Sequence, residues 1–122
     1  MNTSLYHDLV LDHYRNPRNQ GELKNATHGA RASNPTCGDT LGMQILVKND
    51  IIKDVKFSGS GCAISQASAS LLTEHVKGKP ATEASALEPK DVLELLGVAI
   101  SPARLKCALL SLETLKKTLQ SK

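Results

Sequence analysis

The chain has 122 residues, of which 40% are hydrophobic and 22% charged, and its net charge is +3. These values fit one folded domain with its own hydrophobic core and argue against wholesale disorder, so we expect a single domain over residues 1–122. The lysines are spread along the chain apart from a C-terminal cluster, and the aromatic residues are only two Tyr and one Phe. Nucleic-acid binding needs a concentrated basic face, often with stacking aromatics, so we expect no nucleic-acid partner.

The hydropathy pattern also bears on location. No apolar run approaches the length of a transmembrane helix, and the first eight residues lack the basic region and apolar core of a signal peptide. We therefore expect a cytoplasmic protein with no membrane partner. Three cysteines cannot all pair with one another, and in a reducing compartment an odd number indicates metal ligands or reactive thiols rather than disulfides.

The first predicted element is a helix over residues 4–15. Thr3 or Ser4 can cap its start, and Asn16-Pro17 ends it, because the residue before proline disfavours helical geometry. Its apolar stripe consists of Leu5, Leu9 and Val10.

A period of two then predicts β-structure. Residues 42–47 and 51–57 form two strands joined at Asn49-Asp50, which is typical of a hairpin turn. The pattern for a third strand, near residues 27–33, is weaker.

Helices follow the strands. Residues 63–77 form one helix, ended by Gly78 with a proline just beyond it, and residues 88–96 form a short second one. The last helix starts near Pro102, with Ser101 as its cap. Its apolar stripe, expected to be core, contains Leu105, Leu109, Leu112, Leu115 and Leu119. This order predicts an α+β fold, a small antiparallel sheet of about three strands with helices packed on one face.

Each cysteine lies near the end of a predicted element. Cys37 and Asp39 flank a glycine on a loop before a strand, and Cys62 follows a Ser-Gly-Ser-Gly turn at the start of a helix, where free N–H groups stabilise a thiolate. Cys107 follows Arg104 and Lys106 in the last helix, where cations have the same effect.

If the fold brings these ends together, three thiolates and a carboxylate form one metal site for zinc or an iron–sulfur cluster. Asp39 is then the weak, exchangeable ligand, since a hard carboxylate matches a soft-metal site poorly. The spacing alone does not decide the matter. Free cysteines are often simply buried, and three unrelated buried cysteines remain an alternative on spacing.

Four segments resemble the NifU/IscU/SufU family of iron–sulfur cluster assembly proteins. The first ligand motif is similar to Asn34-Pro35-x-Cys37-Gly38-Asp39, and the second to Gly59-x-Gly61-Cys62-Ala63-Ile64-Ser65. Arg104-x-Lys106-Cys107-Ala108 resembles the third, and residues 12–19 resemble the family's N-terminal segment.

The resemblance implies a protein that accepts persulfide sulfur from a cysteine desulfurase. It then assembles a transient [2Fe–2S] cluster for acceptor apoproteins or other assembly components. The implied metal ligands, for Zn²⁺ or the cluster, are Cys37, Asp39, Cys62 and Cys107. The implied sulfur acceptor is Cys37 in SufU-type members and Cys107 in IscU-type members, and Arg104 is implied to gate or position the site. A zinc-dependent sulfurtransferase, which would be an enzyme rather than a scaffold, stays open, as does a structural zinc domain.

Three departures from the family pattern concern the subfamily. Lys106 stands where IscU-type scaffolds have His, and residues 100–104 match their chaperone-binding Leu-Pro-Pro-Val-Lys motif only loosely. The step from Cys62 to Cys107 lacks the insertion typical of SufU proteins. We expect the histidines, His7, His13, His28 and His75, to be surface or helix-face residues and not ligands.

Overall fold

The computed structural model describes residues 3–35 and 38–121, with the backbone alone for residues 3–7. The elements run in the order α1 (Thr3–Arg15), β1 (His28–Asn34), β2 (Asp39–Lys48), β3 (Ile51–Ser60), α2 (Ala63–Val76), α3 (Ala81–Ser85), α4 (Pro89–Leu96) and α5 (Leu105–Gln120). A short 3-10 turn, Pro102–Arg104, precedes α5. The predicted α+β class is confirmed, and α3 is an element that the sequence pattern did not reveal.

The three strands form one antiparallel sheet in the order β1-β2-β3. Asn34 pairs with Asp39 at one end of the β1–β2 ladder, and Thr40 pairs with Ser60 at the same end of the β2–β3 ladder. The β1–β2 connection and the last residues of β3 therefore lie at the same end of the sheet. At the opposite end, Asn49 and Asp50 both have positive φ, as a two-residue hairpin turn requires.

One face of the sheet carries the core. Helices α2 and α5 pack together and against the strands, and fully buried side chains fill the space between them. These include Met43, Ile45, Val55, Leu72, Leu96 and Leu115. The apolar side chains of the strands thus face the helices. This packing places the start of α2 and the start of α5 near the end of the sheet where Asn34 pairs with Asp39.

One expectation about side chains is wrong. Leu105, predicted to be core, is 37% exposed, because it opens α5 beyond the part of the helix that covers the sheet. His13, expected to be a surface or helix-face residue, lies on a buried helix face and is 3% exposed. Its ring Nδ1 lies 2.7 Å from Ser70 Oγ, so a hydroxyl on α2 satisfies the imidazole inside the α1–α2 contact.

The ends of the helices follow the expected chemistry in part. Glu88 and Asp91 form a capping box at the start of α4, which ends at Gly97 in the left-handed conformation. Ser101 makes no side-chain capping hydrogen bond, and the caps expected at Thr3 or Ser4 fall on side chains that the structure does not describe. Across residues 3–35 and 38–121, none of the helices is long and apolar enough to cross a membrane.

Candidate metal centre

Three of the four expected ligands come together. Oxygen or sulfur atoms of Asp39, Cys62 and Cys107 all lie within 4.8 Å of one another. Asp39 opens β2, Cys62 is the N-cap of α2, and Cys107 lies in the first turn of α5. The fourth expected ligand, Cys37, lies outside the described residues. Unrelated buried cysteines would not converge in this way, so that alternative is wrong for Cys62 and Cys107.

Asp39 is held in place by the start of α2. Its Oδ1 accepts a hydrogen bond from the backbone N–H of Cys62 at 3.1 Å, and its Oδ2 lies 3.9 Å from Cys62 Sγ. The residue is 2% exposed. A buried carboxylate needs partners, and here one of them is a backbone N–H that opens a helix.

Gly61 leaves the space that this contact needs. A Cβ at residue 61 would lie 2.7 Å from Asp39 Oδ1 and would also collide with Ser65 Oγ. Gly59 has φ +141°, and a Cβ there would meet the carbonyl oxygen of Thr40 on the neighbouring strand. Gly59 and Gly61 are therefore required by close approach, a steric reason that the turn pattern in the sequence did not reveal.

The thiol of Cys62 is tuned by opposing effects. Burial raises its pKa, and the neighbouring Asp39 carboxylate raises it further. Backbone N–H groups of Ser65 and Ile64 and the thiol of Cys107 donate hydrogen bonds to its sulfur. The donors prevail, so the pKa lies below its ordinary value of 9.0. The helix N-terminus thus favours the thiolate, which is the form that binds metal.

The group opens onto a cavity of about 290 Å³ lined by Cys62, Ala103, Arg104 and Cys107. Arg104 is exposed, whereas Cys107 is buried at 1%. The structure thus brings Arg104 to the mouth of the site. Lys106, one residue before Cys107, is not among the residues that line this cavity and lies in a separate cleft.

The donor set fits a soft metal ion. Two thiols and one carboxylate, with an open side, suit Zn²⁺ or iron carried in a cluster. Among the residues that the structure describes, no histidine belongs to the group. His13 and His75 bond instead to Ser70 and Lys79. The side chain of His7 lies outside the described part.

Comparison with known proteins agrees with this arrangement. Residues 5–121 match the family described as the NifU-like N-terminal domain. The chain belongs to this family. This NifU-like chain is 39% identical to the zinc-dependent sulfurtransferase SufU of Bacillus subtilis, over 93% of the chain and 88% of that protein. It is 46% identical to the iron–sulfur cluster assembly scaffold protein IscU of Aquifex aeolicus, over 90% of the chain and 71% of that protein.

Solved structures share the fold of this NifU-like domain. A SUF-system protein from Fervidobacterium islandicum AW-1, FiSufU, superposes with a TM-score of 0.80 at 30% identity, covering 98% of this chain and 99% of that one. The N-terminal part of a NifU-like protein from Brucella abortus superposes with a TM-score of 0.78 at 21% identity, covering 94% and 92%. The second likeness concerns the fold alone.

Proposed function

We propose that this protein accepts persulfide sulfur from a cysteine desulfurase and assembles a transient [2Fe–2S] cluster for acceptor apoproteins or other assembly components. The observation that carries the proposal is the convergence of Asp39, Cys62 and Cys107 within 4.8 Å. Membership of a family with both scaffold and sulfurtransferase relatives supports it.

Cys37 is the proposed fourth ligand. It belongs to the four-residue connection between Asn34 and Asp39, which are paired across β1 and β2. Only Gly38 separates it from Asp39, so covalent geometry keeps its Cα within about 7 Å of the Asp39 Cα. The N–H of Gly38 bonds to the carbonyl of Asn34 at 2.9 Å, which fixes the end of that connection beside the site.

Sulfur transfer needs a thiolate and a persulfide donor. In the proposed step, the Cys37 thiolate attacks the terminal sulfur of the donor persulfide. A new S–S bond forms to Cys37, the donor S–S bond breaks, and the donor leaves as a thiolate. Cys107 is the alternative acceptor, and exposed Arg104, at the mouth of the cavity, would attract the anionic persulfide.

Iron and sulfide are the cargo of the site. Cys37, Cys62 and Cys107 would hold the iron by sulfur, with Asp39 as the exchangeable oxygen ligand. An external electron donor must reduce each transferred sulfur to sulfide. Because the site opens onto a cavity instead of being sealed, an acceptor protein can reach the cargo.

A second candidate, a zinc-dependent sulfurtransferase, is favoured by one observation. Lys106 replaces the histidine of scaffold-type members, which leaves the Cys37, Asp39, Cys62 and Cys107 set suited to a single tetrahedral Zn²⁺. Bound there, Zn²⁺ would supply Lewis acidity and keep the thiols deprotonated.

We also propose that the protein acts in the cytoplasm.

The test of the scaffold is anaerobic reconstitution with desulfurase, cysteine, ferrous iron and a reductant. We expect the visible absorption of a [2Fe–2S] cluster on the protein, and its loss in Cys62→Ser. Glu22→Gln, a change in an exposed loop residue, serves as the matched control and should form the cluster normally. Absence of the chromophore on the unaltered protein would contradict the scaffold role.

A further inference from the structure

A second cleft, of about 400 Å³, lies between the edge of β1 and the first half of α5. Leu105 and Leu109 give it an apolar floor, and Leu105 is one of the few large apolar side chains exposed on the surface. The cleft does not include Asp39, Cys62 or Cys107. It is therefore a feature separate from the proposed metal site.

The strand that borders this cleft has a free edge. β1 is the outer strand of the sheet, and its outward-pointing groups follow a period of two. The N–H of Gly29 donates to Ser121 Oγ at 3.2 Å, and the carbonyl of Arg31 accepts from Lys117 Nζ at 2.7 Å. Helix α5 thus covers the edge as far as Arg31. Ser33 is the next residue on this period whose N–H and carbonyl point away from β2.

A buried amide in the same cleft also lacks a partner. Asn34 is 7% exposed, and among the described residues its Nδ2 meets no acceptor. Asn34 is one of the residues that line the cleft, next to Ser33. A buried donor without a partner is unfavourable, so an acceptor supplied by a ligand would remove that penalty.

Charges of opposite sign stand at the two ends. Lys106 lies at the end near Pro35, and Glu113 lies two turns further along α5. Seven helical residues span about 10.5 Å. Two side chains on the same face of an extended strand, four residues apart, are separated by about 13.6 Å, which the long Lys and Glu side chains can bridge.

From these features we infer that the cleft binds an extended peptide segment of a partner protein, which adds a fourth strand to the sheet at Ser33. The segment carries an acidic residue at Lys106, an apolar residue over Leu105 and Leu109, and a basic residue at Glu113. Main-chain hydrogen bonds supply affinity and the alternate side chains supply specificity, as in strand addition to other sheet edges. This binding does not depend on the sulfur chemistry proposed above.

The position of the cleft indicates what a bound peptide segment would do. Pro35 and Lys106 line it, and they are close in sequence to Cys37 and Cys107. A partner held along β1 would therefore have the rest of its chain beside the proposed metal site. Such a segment would raise the local concentration of a donor or acceptor without contacting the ligands.

The probe is a capped pentapeptide with an acidic start and a basic end, Ac-Glu-Thr-Leu-Thr-Lys-NH2. Positions 1, 3 and 5 face α5 when the peptide runs antiparallel to β1. Its matched control, Ac-Lys-Thr-Leu-Thr-Glu-NH2, has the same composition with the charges exchanged. Titration of the ¹⁵N-labelled full chain should shift the Ser33 amide and the Asn34 side-chain amide. The first peptide should bind about three- to tenfold more tightly, as two exposed ion pairs allow.

Two variants make the test specific. Glu113→Lys, at an exposed position of α5, should abolish the preference, because each peptide then has one attractive and one repulsive contact. Glu22→Lys, with the same charge change in a distant loop, should leave the preference unchanged. Three results with the unaltered chain would overturn the inference: equal binding of both peptides, amide shifts confined to another surface, or self-association of the chain through this edge.

Discussion

The backbone N–H of Cys62 donates a hydrogen bond of 3.1 Å to Asp39 Oδ1, and this contact ties the start of α2 to the start of β2. The carboxylate therefore has one oxygen bonded to the backbone and the other beside the Cys62 sulfur. Asp39 thus has two roles, since it positions the second ligand and offers a ligand atom of its own.

Replacing Asp39 by Ala separates these roles. A carboxylate on a soft-metal site keeps the cargo exchangeable, so Asp39→Ala should lengthen the half-life of a reconstituted cluster during transfer to an apoprotein. The Cys62 N–H loses its acceptor in a buried site, and we expect a loss of about 1–3 kcal/mol in unfolding free energy. Cluster decay and urea denaturation measure the two effects.

Asp39→Asn is the matched control for that change, because an amide oxygen still accepts from the Cys62 N–H. The Asn variant should retain most of the stability that Asp39→Ala loses. Like Asp39→Ala, it lacks the negative charge of the carboxylate. A cluster half-life in Asp39→Ala that is unchanged or shorter would contradict the exchangeable role of this ligand.

Gly61→Ala should damage the site more than the fold. The added Cβ would lie 2.7 Å from Asp39 Oδ1, so the carboxylate must leave its present position. We expect Zn²⁺ affinity to fall by about 10–100-fold, as for other residues that orient metal ligands. Chelator competition measures the affinity. Gly29→Ala, where the new Cβ would meet its neighbours at 3.8 Å or more, should bind Zn²⁺ normally, and equal affinity in both variants would refute the steric account.

Stability should fall as the pH drops from about 7.5 to 5.5. Burial lowers the pKa of His13 below its ordinary value of 6.5, and the Arg18 charge lowers it further. The unfolded chain therefore binds more protons than the folded one below pH 6.5, and folding weakens as the pH falls toward the folded-state pKa. Burial and Lys79 act in the same direction on the pKa of His75.

His13→Gln tests this assignment, because glutamine can hydrogen-bond to Ser70 without titrating. The melting temperature of this variant should change less between pH 7.5 and 5.5 than that of the parent chain. His28→Gln, a change in β1 outside the α1–α2 contact, should keep the full pH dependence. The account fails if His13→Gln keeps it as well.

Two leucines of one stripe should differ sharply in their effect on stability. Leu115 is fully buried, so Leu115→Ala should cost about 2–5 kcal/mol. Leu105 is 37% exposed, and Leu105→Ala should change the unfolding free energy by less than about 1 kcal/mol. Denaturant melts of the two variants provide the comparison, and equal losses would mean that Leu105 packs in the core after all.

The sequence pattern predicted the local elements well because they depend on neighbouring residues. The Asn49-Asp50 turn and the glycine after α2 are signals of this kind. Helix α3, with five residues, is too short to show a period. The exposure of Leu105 and the burial of His13 depend on how helices are placed in space, which periodicity within one helix does not encode.

The site was predicted from motifs, and its geometry could not have been. Spacing in sequence did not show that Asp39, Cys62 and Cys107 lie together at one end of the sheet. Their proximity follows from the register of the strands and the placement of the helices. The steric need for glycine at residue 61 was likewise hidden. A glycine next to a ligand is a signal for it, but only the distance to Asp39 shows the cause.

The most direct test of the central claim is to run the desulfurase with cysteine, the zinc-loaded protein as sole sulfur acceptor and no iron, and to locate the product by mass spectrometry. The account predicts a persulfide on Cys37, or on Cys107 in the alternative assignment. Once iron and a reductant are added, the outer sulfur of that persulfide should be reduced to sulfide and enter a cluster. No persulfide on either cysteine, with the metal still bound and the fold intact, would contradict the account and leave a purely structural metal domain.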